Sequence, residues 1–208
     1  MISAQAALER LQAGNRRFVA GTPSHDAQIH HSRRSEIEER QQPFAIILGC
    51  SDSRVPAELV FDQGLGDLFV IRVAGNIVAP SQLGSIEFAA EQFGSRLVVV
   101  LGHSLCGAIS ATLEYLHRPI EIPSPNLRSI VERIRLPVEK LLSTEIQNDP
   151  DALAQQAVRA NVVNSVNQLR HGSEVLERLI RDEGLRIVGA EYSLEAGVVE
   201  FFDDARAA

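Results

Sequence analysis

Four short runs, at residues 44–49, 68–73, 96–101 and 185–190, are apolar at almost every position and rich in β-branched side chains. A strand with one solvated face alternates polar and apolar residues, whereas a run that is apolar throughout suits a strand buried on both faces, as in a parallel sheet covered by helices. A shorter run at 198–202 reads as a fifth strand, at an edge. Between the runs the spacing becomes helical. Pro56 fits the first turn of a helix over 55–63 that Gly64 closes, and Ser81 opens a second helix with Ile86, Phe88, Ala89, Ala90 and Phe93 on its apolar side and Gly94 as its stop. A third helix runs from Cys106 to about Arg118, and the proline-rich stretch 119–125 follows as a connector. A helical region spans 126–171 with an interruption near 148–150, and Gly172 and Ser173 separate it from a last helix at 174–182.

Strands alternating with helices in this order predict an α/β fold: a mainly parallel, four- to five-stranded sheet flanked by helices, with right-handed crossovers. The chain reads as a single domain over 1–208, with a helical arm at 1–41 and an α/β core at 42–203. The arm contributes two helices, 4–19 and 32–40, that precede the sheet and have no strand of their own to cover. They are expected to pack on a dimer partner.

Composition narrows the class. With 208 residues, 45% hydrophobic, and only 14 Gly and 9 Pro without a period, the chain is neither disordered nor fibrous. A net charge of −7 gives no electrostatic footprint for nucleic acid, and no apolar run approaches the roughly 20 residues of a membrane span. The charged residues Glu9, Arg10, Arg16 and Arg17 interrupt the first twenty positions, so these do not read as a secretory signal, and a cytoplasmic location is expected. Two cysteines are too few for a disulfide scaffold.

Those two cysteines carry the chemistry. Cys50 follows the first strand in Cys50-Ser51-Asp52-Ser53-Arg54, and Cys106 follows the third in Gly102-His103-Ser104-Leu105-Cys106-Gly107. Open α/β sheets place their sites at the carboxyl ends of strands, so the two segments can meet. Cys50, His103 and Cys106 then form a donor set suited to Zn²⁺, and three protein ligands leave a fourth position for water or substrate. Asp52 either closes that position as a fourth ligand or, paired with Arg54 two residues on, stays ionised and orients the water.

Together the two segments resemble the signature of the β-class carbonic anhydrases, and the likeness extends through Val55-Pro56-Ala57-Glu58, residues 66–76 and Gly189-Ala190-Glu191-Tyr192. The resemblance implies zinc-dependent reversible hydration of carbon dioxide to bicarbonate and a proton. It implies one Zn²⁺ per chain on Cys50, His103 and Cys106, Asp52 and Arg54 as the catalytic dyad, and homodimers, alone or paired, as the working unit. Gln41 matches a glutamine that contacts substrate in plant-type members, and Gly107 belongs to the same substrate-binding set. Phe69, Phe88 and Ala74 are expected to line an apolar pocket suited to carbon dioxide. Phe88 stands where those members often carry Tyr. Ile47 stands where the bicarbonate-regulated subgroup has Trp, although Arg72 and Tyr192 match that subgroup, so an open site with Asp52 held by Arg54 is the expectation. The alternatives are hydrolysis of carbon disulfide or carbonyl sulfide on the same site, and a non-catalytic zinc-stabilised assembly. His25, His30, His31, His117 and His171 read as solvated surface residues.

Overall fold

The computed structural model describes residues 2–24, 38, 41–118 and 124–202. Its sheet has five strands: β1 (Ala45–Gly49), β2 (Leu68–Arg72), β3 (Leu97–His103), β4 (Arg186–Tyr192) and β5 (Val199–Phe202). The order is β2-β1-β3-β4-β5, with β1 to β4 parallel and β5 antiparallel at the edge. All five follow the apolar runs of the sequence.

The helices are α1 (Ala4–Val19), α2 (Ala57–Val60), α3 (Pro80–Gln92), α4 (Gly107–His117), α5 (Pro125–Val138), α6 (Pro150–His171) and α7 (Glu174–Glu183). Their ends follow local chemistry. Ser124, Asp149 and Ser173 cap α5, α6 and α7 with side-chain oxygens, and Gly184 stops α7 in left-handed backbone at φ 71°. The helix expected over 55–63 shrinks to α2, because Asp62 turns left-handed at φ 48°. The region 126–171 breaks earlier than expected, passing through 3₁₀ turns at Glu139–Ser143 and Glu145–Asn148 before α6.

Alternate residues of each central strand enter different layers. Ile46, Leu48, Val98, Val100 and Ile187 face α3, α6 and α7, while Ala45, Ile47, Val99, Leu101, Val188 and Ala190 face the other way. Since those crossover helices take one face, the opposite face needs its own cover, and α1 supplies it with Ala4, Ala7, Leu8 and Leu11, all buried. The apolar stripe of α1 therefore covers its own chain's sheet, and any contact of this helix with a partner falls to its other, exposed face. The second expected arm helix, 32–40, falls outside the described residues apart from Glu38.

Docking of α1 is tight. Asn15 donates to the carbonyls of Val60 and Gly197 and accepts from the Val199 amide. A Cβ on Gly14 would lie 1.8 Å from the Phe61 carbonyl oxygen, which is backbone and cannot swing away. Gly14→Ala is therefore expected to lower stability by about 3 kcal/mol in urea unfolding, at the upper end for an overpacked site, and an unchanged midpoint would contradict this packing.

Candidate metal centre

β1 and β3 lie side by side, with Gly49 paired to Leu101, so Cys50 and His103 emerge together at the carboxyl edge of the sheet. A tight turn through Leu105, at φ 56°, then returns the chain so that Cys106 stands at the N-cap of α4. The two sulfurs and a ring nitrogen of His103 lie within 4.8 Å of one another, and all three residues are buried. Both thiols are free.

The donor set fits a zinc ion. His103 Nδ1 lies 2.9 Å from the Ser104 carbonyl, which can only accept, so Nδ1 carries the proton and Nε2 keeps its lone pair. That Nε2 is buried without a hydrogen-bond partner among the described residues, an expensive arrangement unless it serves as a ligand. The hydrogen bond from Cys106 is the main influence that pulls the Cys50 thiol well below its ordinary pKa, while that same hydrogen bond, burial and the charge on Cys50 push the Cys106 thiol far up. Burial opposes the His103 cation, yet the neighbouring Cys50, the Ser104 carbonyl and the charge of Asp52 outweigh it and raise the ring's pKa. Two sulfurs and one imidazole, closely grouped, leave a tetrahedral ion one open position.

Asp52 borders the cluster, with Oδ2 3.9 Å from His103 Nε2. Arg54 grips it through Nε to Oδ1 at 2.9 Å and Nη2 to Oδ2 at 2.7 Å, and the Arg54 amide adds a third bond at 3.0 Å. The guanidinium holds the Asp52 carboxyl far below the usual carboxylate range. Arg72 fastens the loop from behind, donating to the carbonyls of Cys50 at 2.9 Å and Asp52 at 2.5 Å. Tyr192 is buried, its ring tilted against Phe18.

The remaining expected site residues separate. Gly107 opens α4 directly after Cys106, and a Cβ there would meet nothing within 4 Å. Phe69 and Phe88 pack on each other and on Phe93 at the β2 edge, and Phe88 is 52% exposed. Their cluster is distinct from the one containing Cys50 and Cys106. Gln41 is exposed beside Arg10, Phe44 and Gln92 at the amino end of β1. Roughly 20 Å of strand separates Phe44 from Cys50, so Gln41 does not approach the metal centre of its own chain. His117 Nδ1 bonds the Leu113 carbonyl and His171 ends α6, while His25, His30 and His31 lie outside the described residues.

Glu191 on β4, beside Gly102, is half-buried, and burial raises its carboxyl pKa with Glu200 adding and Arg159 opposing. A carboxyl raised on folding costs nothing below its unfolded pKa of about 4.3 and destabilises increasingly as pH rises through the folded value. Glu191→Gln is thus expected to match the parent near pH 4 and to exceed it at pH 8 in urea midpoint. Equal midpoints at pH 8 would mean that this carboxyl is fully solvated.

Known proteins match this arrangement. The family model described as carbonic anhydrase matches residues 45–199. Carbonic anhydrase of Mycolicibacterium smegmatis is 41% identical over 195 residues, covering 94% of this chain and 91% of that protein. Carbonic anhydrase 2 of Mycobacterium tuberculosis is 40% identical over 193 residues, covering 92% and 89%. The crystal structure of the β-carbonic anhydrase CafA of Aspergillus fumigatus superposes with a TM-score of 0.76 at 25% identity, covering 98% of this chain and 92% of that one. A buried Cys-His-Cys donor set at the carboxyl edge of a parallel sheet and matches spanning most of the sequence lead to one conclusion: the chain belongs to the carbonic anhydrase family, in its β class.

Proposed function

We propose that the chain catalyses the reversible hydration of carbon dioxide to bicarbonate and a proton, with Cys50, His103 and Cys106 holding Zn²⁺ and Asp52 and Arg54 forming the catalytic dyad. The observation that carries this reading is three buried donors within 4.8 Å beside a carboxylate already held by a guanidinium. Zinc, when bound, supplies a fourth coordination position at which the pKa of water falls toward neutrality.

The protein's part is orientation. Asp52 is ionised, so its oxygens only accept, and a carboxylate at the rim of the donor set turns the nucleophile's proton toward itself and the lone pair toward carbon dioxide. Arg54 fixes the carboxylate's plane and keeps it from moving onto the ion as a fourth ligand, while Arg72 prevents the loop from drifting. The buried apolar wall of Ile77, Ile109 and Ile134 around the cysteines suits a neutral, apolar substrate.

Phe69, Phe88 and Gln41 belong in this reading only if a second copy is present. β2 is an edge strand whose Leu68, Phe69, Val70 and Ile71 are half-buried, and such an edge with exposed Phe88 beside it suits pairing with another copy of the chain. If two copies pair antiparallel across that edge, the amino end of one β1 and the metal centre of the other copy come to the same end of the joined sheet. We assign the chain to a homodimer or dimer of dimers on this ground.

Stopped-flow carbon dioxide hydration by protein carrying one zinc per chain tests the activity. A folded, zinc-loaded chain without hydration between pH 8 and 9 would overturn it.

A further inference from the structure

Behind Cys50 lies a turn that the catalytic reading leaves unused. Ala74–Asn76 follows β2, and two successive residues, Gly75 at φ 70° and Asn76 at φ 43°, adopt left-handed backbone. Asn76 suits this conformation, since asparagine, after glycine, adopts left-handed backbone most readily. At Gly75 the left-handed φ disfavours any side chain, and a Cβ there would also press on Ile134 Cδ1 at 2.7 Å and on the Ala108 Cβ at 3.2 Å. The product of this geometry is one hydrogen bond: the Gly75 amide donates to Cys50 Sγ at 3.4 Å.

The turn is held from α6. Asn161 Nδ2 donates to the Gly75 carbonyl at 2.8 Å, and Ser165 Oγ donates to the Asn76 carbonyl at 3.1 Å. Both side chains are 1% exposed, one helical turn apart, on a face otherwise made of Val158, Val162, Val166 and Leu169. Polar groups on such a face cost stability unless fully satisfied. Asn161 is only half satisfied: its Oδ1 has no partner among the described residues, and neither does Nδ2 of Asn76 in the turn it holds. A helix selected for packing alone would carry apolar residues there.

We infer that Asn161, supported by Ser165, is a positioning residue for Cys50: by fixing the Gly75 turn it aims an amide proton at the ligand sulfur and sets how firmly that sulfur retains a metal ion. This rests on the reading of Cys50 as a zinc ligand. An amide bonded to a ligand sulfur withdraws charge from it and restricts its rotation, and outer partners of this kind change metal affinity by roughly 10–100-fold.

The test compares the parent with Asn161→Ala, Ser165→Ala and a packing control, Val166→Ala. Zinc release into excess chelator is expected to be roughly 10–100-fold faster in Asn161→Ala, faster by a smaller factor in Ser165→Ala, and unchanged in Val166→Ala. In cobalt-substituted protein the sulfur-to-cobalt charge-transfer band is expected to shift in Asn161→Ala and stay in place in Val166→Ala. Should Asn161→Ala not fold, Ser165→Ala carries the test, having lost one hydroxyl. Equal release rates and bands in all four proteins, or Val166→Ala releasing zinc as fast as Asn161→Ala, would overturn the inference. Failure of the parent to bind zinc would overturn the metal centre itself, a separate result.

Discussion

Cys106→Ala is expected to reduce carbon dioxide hydration to the uncatalysed background while the chain remains folded. The argument begins with the ligand count. Three donors hold the ion, and two would leave it exchanging with solvent, so zinc content should fall from one per chain toward zero. Without the metal, the pKa of the attacking water returns from near neutrality to that of bulk water, which removes on the order of 10⁴-fold or more of the rate at neutral pH. The fold should tolerate the change, because Cys106 occupies the N-cap of α4 without making a side-chain cap bond, and alanine fills most of the same apolar space. Losing one buried sulfur there costs about 1 kcal/mol. Metal analysis, stopped-flow hydration and a thermal melt on one preparation separate these outcomes. Activity within tenfold of the parent at zero zinc would end the metal reading, and a chain that unfolds outright would make the site structural rather than catalytic.

Much of this architecture was legible in the residues because burial on both faces leaves a simple trace. Apolar runs marked all five strands, and a histidine between two strand-end cysteines in sequence identified the donor set. Position in three dimensions was harder to read. The stripe Ala4, Ala7, Leu8 and Leu11 shows that α1 buries a face, but nothing in its spacing says whether the covering surface belongs to the same chain. That depends on which sheet face the crossover helices leave bare. Gln41 is the opposite case: nine residues from Cys50 in sequence, it stands beyond an intervening strand at the other end of the sheet, so closeness in sequence does not translate into closeness to the donor set of its own chain. Asn161 and Ser165 did leave a signal, as polar residues at i and i+4 within the apolar row of Val158, Val162 and Val166. Periodicity alone reads such a row as core and does not ask which backbone group the amide serves.

Asp52→Asn is expected to lower turnover by about 10²–10³-fold, the loss that follows removal of a well-placed transition-state hydrogen-bonding group, with zinc content unchanged. The substitution keeps shape and changes one property. Asp52 now accepts three bonds, from the Arg54 amide, Nε and Nη2, and an asparagine must turn either its amide nitrogen or its oxygen toward that donor array. With the oxygen toward Arg54, the nitrogen faces the metal centre and offers a proton where the reaction needs an acceptor. With the nitrogen toward Arg54, two donor groups oppose each other and the side chain swings away. Either arrangement loses orientation, and neither touches Cys50, His103 or Cys106. Stability should change little, because the ion pair lies at an exposed rim where such pairs contribute little. Arg54→Ala should also lower turnover, by a different route: the freed carboxylate, 3.9 Å from His103 Nε2, can move onto the ion and compete with water for the open position. The two variants are therefore separable spectroscopically in cobalt-substituted protein, where only Arg54→Ala is expected to show a closed, four-ligand spectrum. Full turnover in zinc-loaded Asp52→Asn would remove Asp52 from the chemistry and leave the dyad as a brace for the loop.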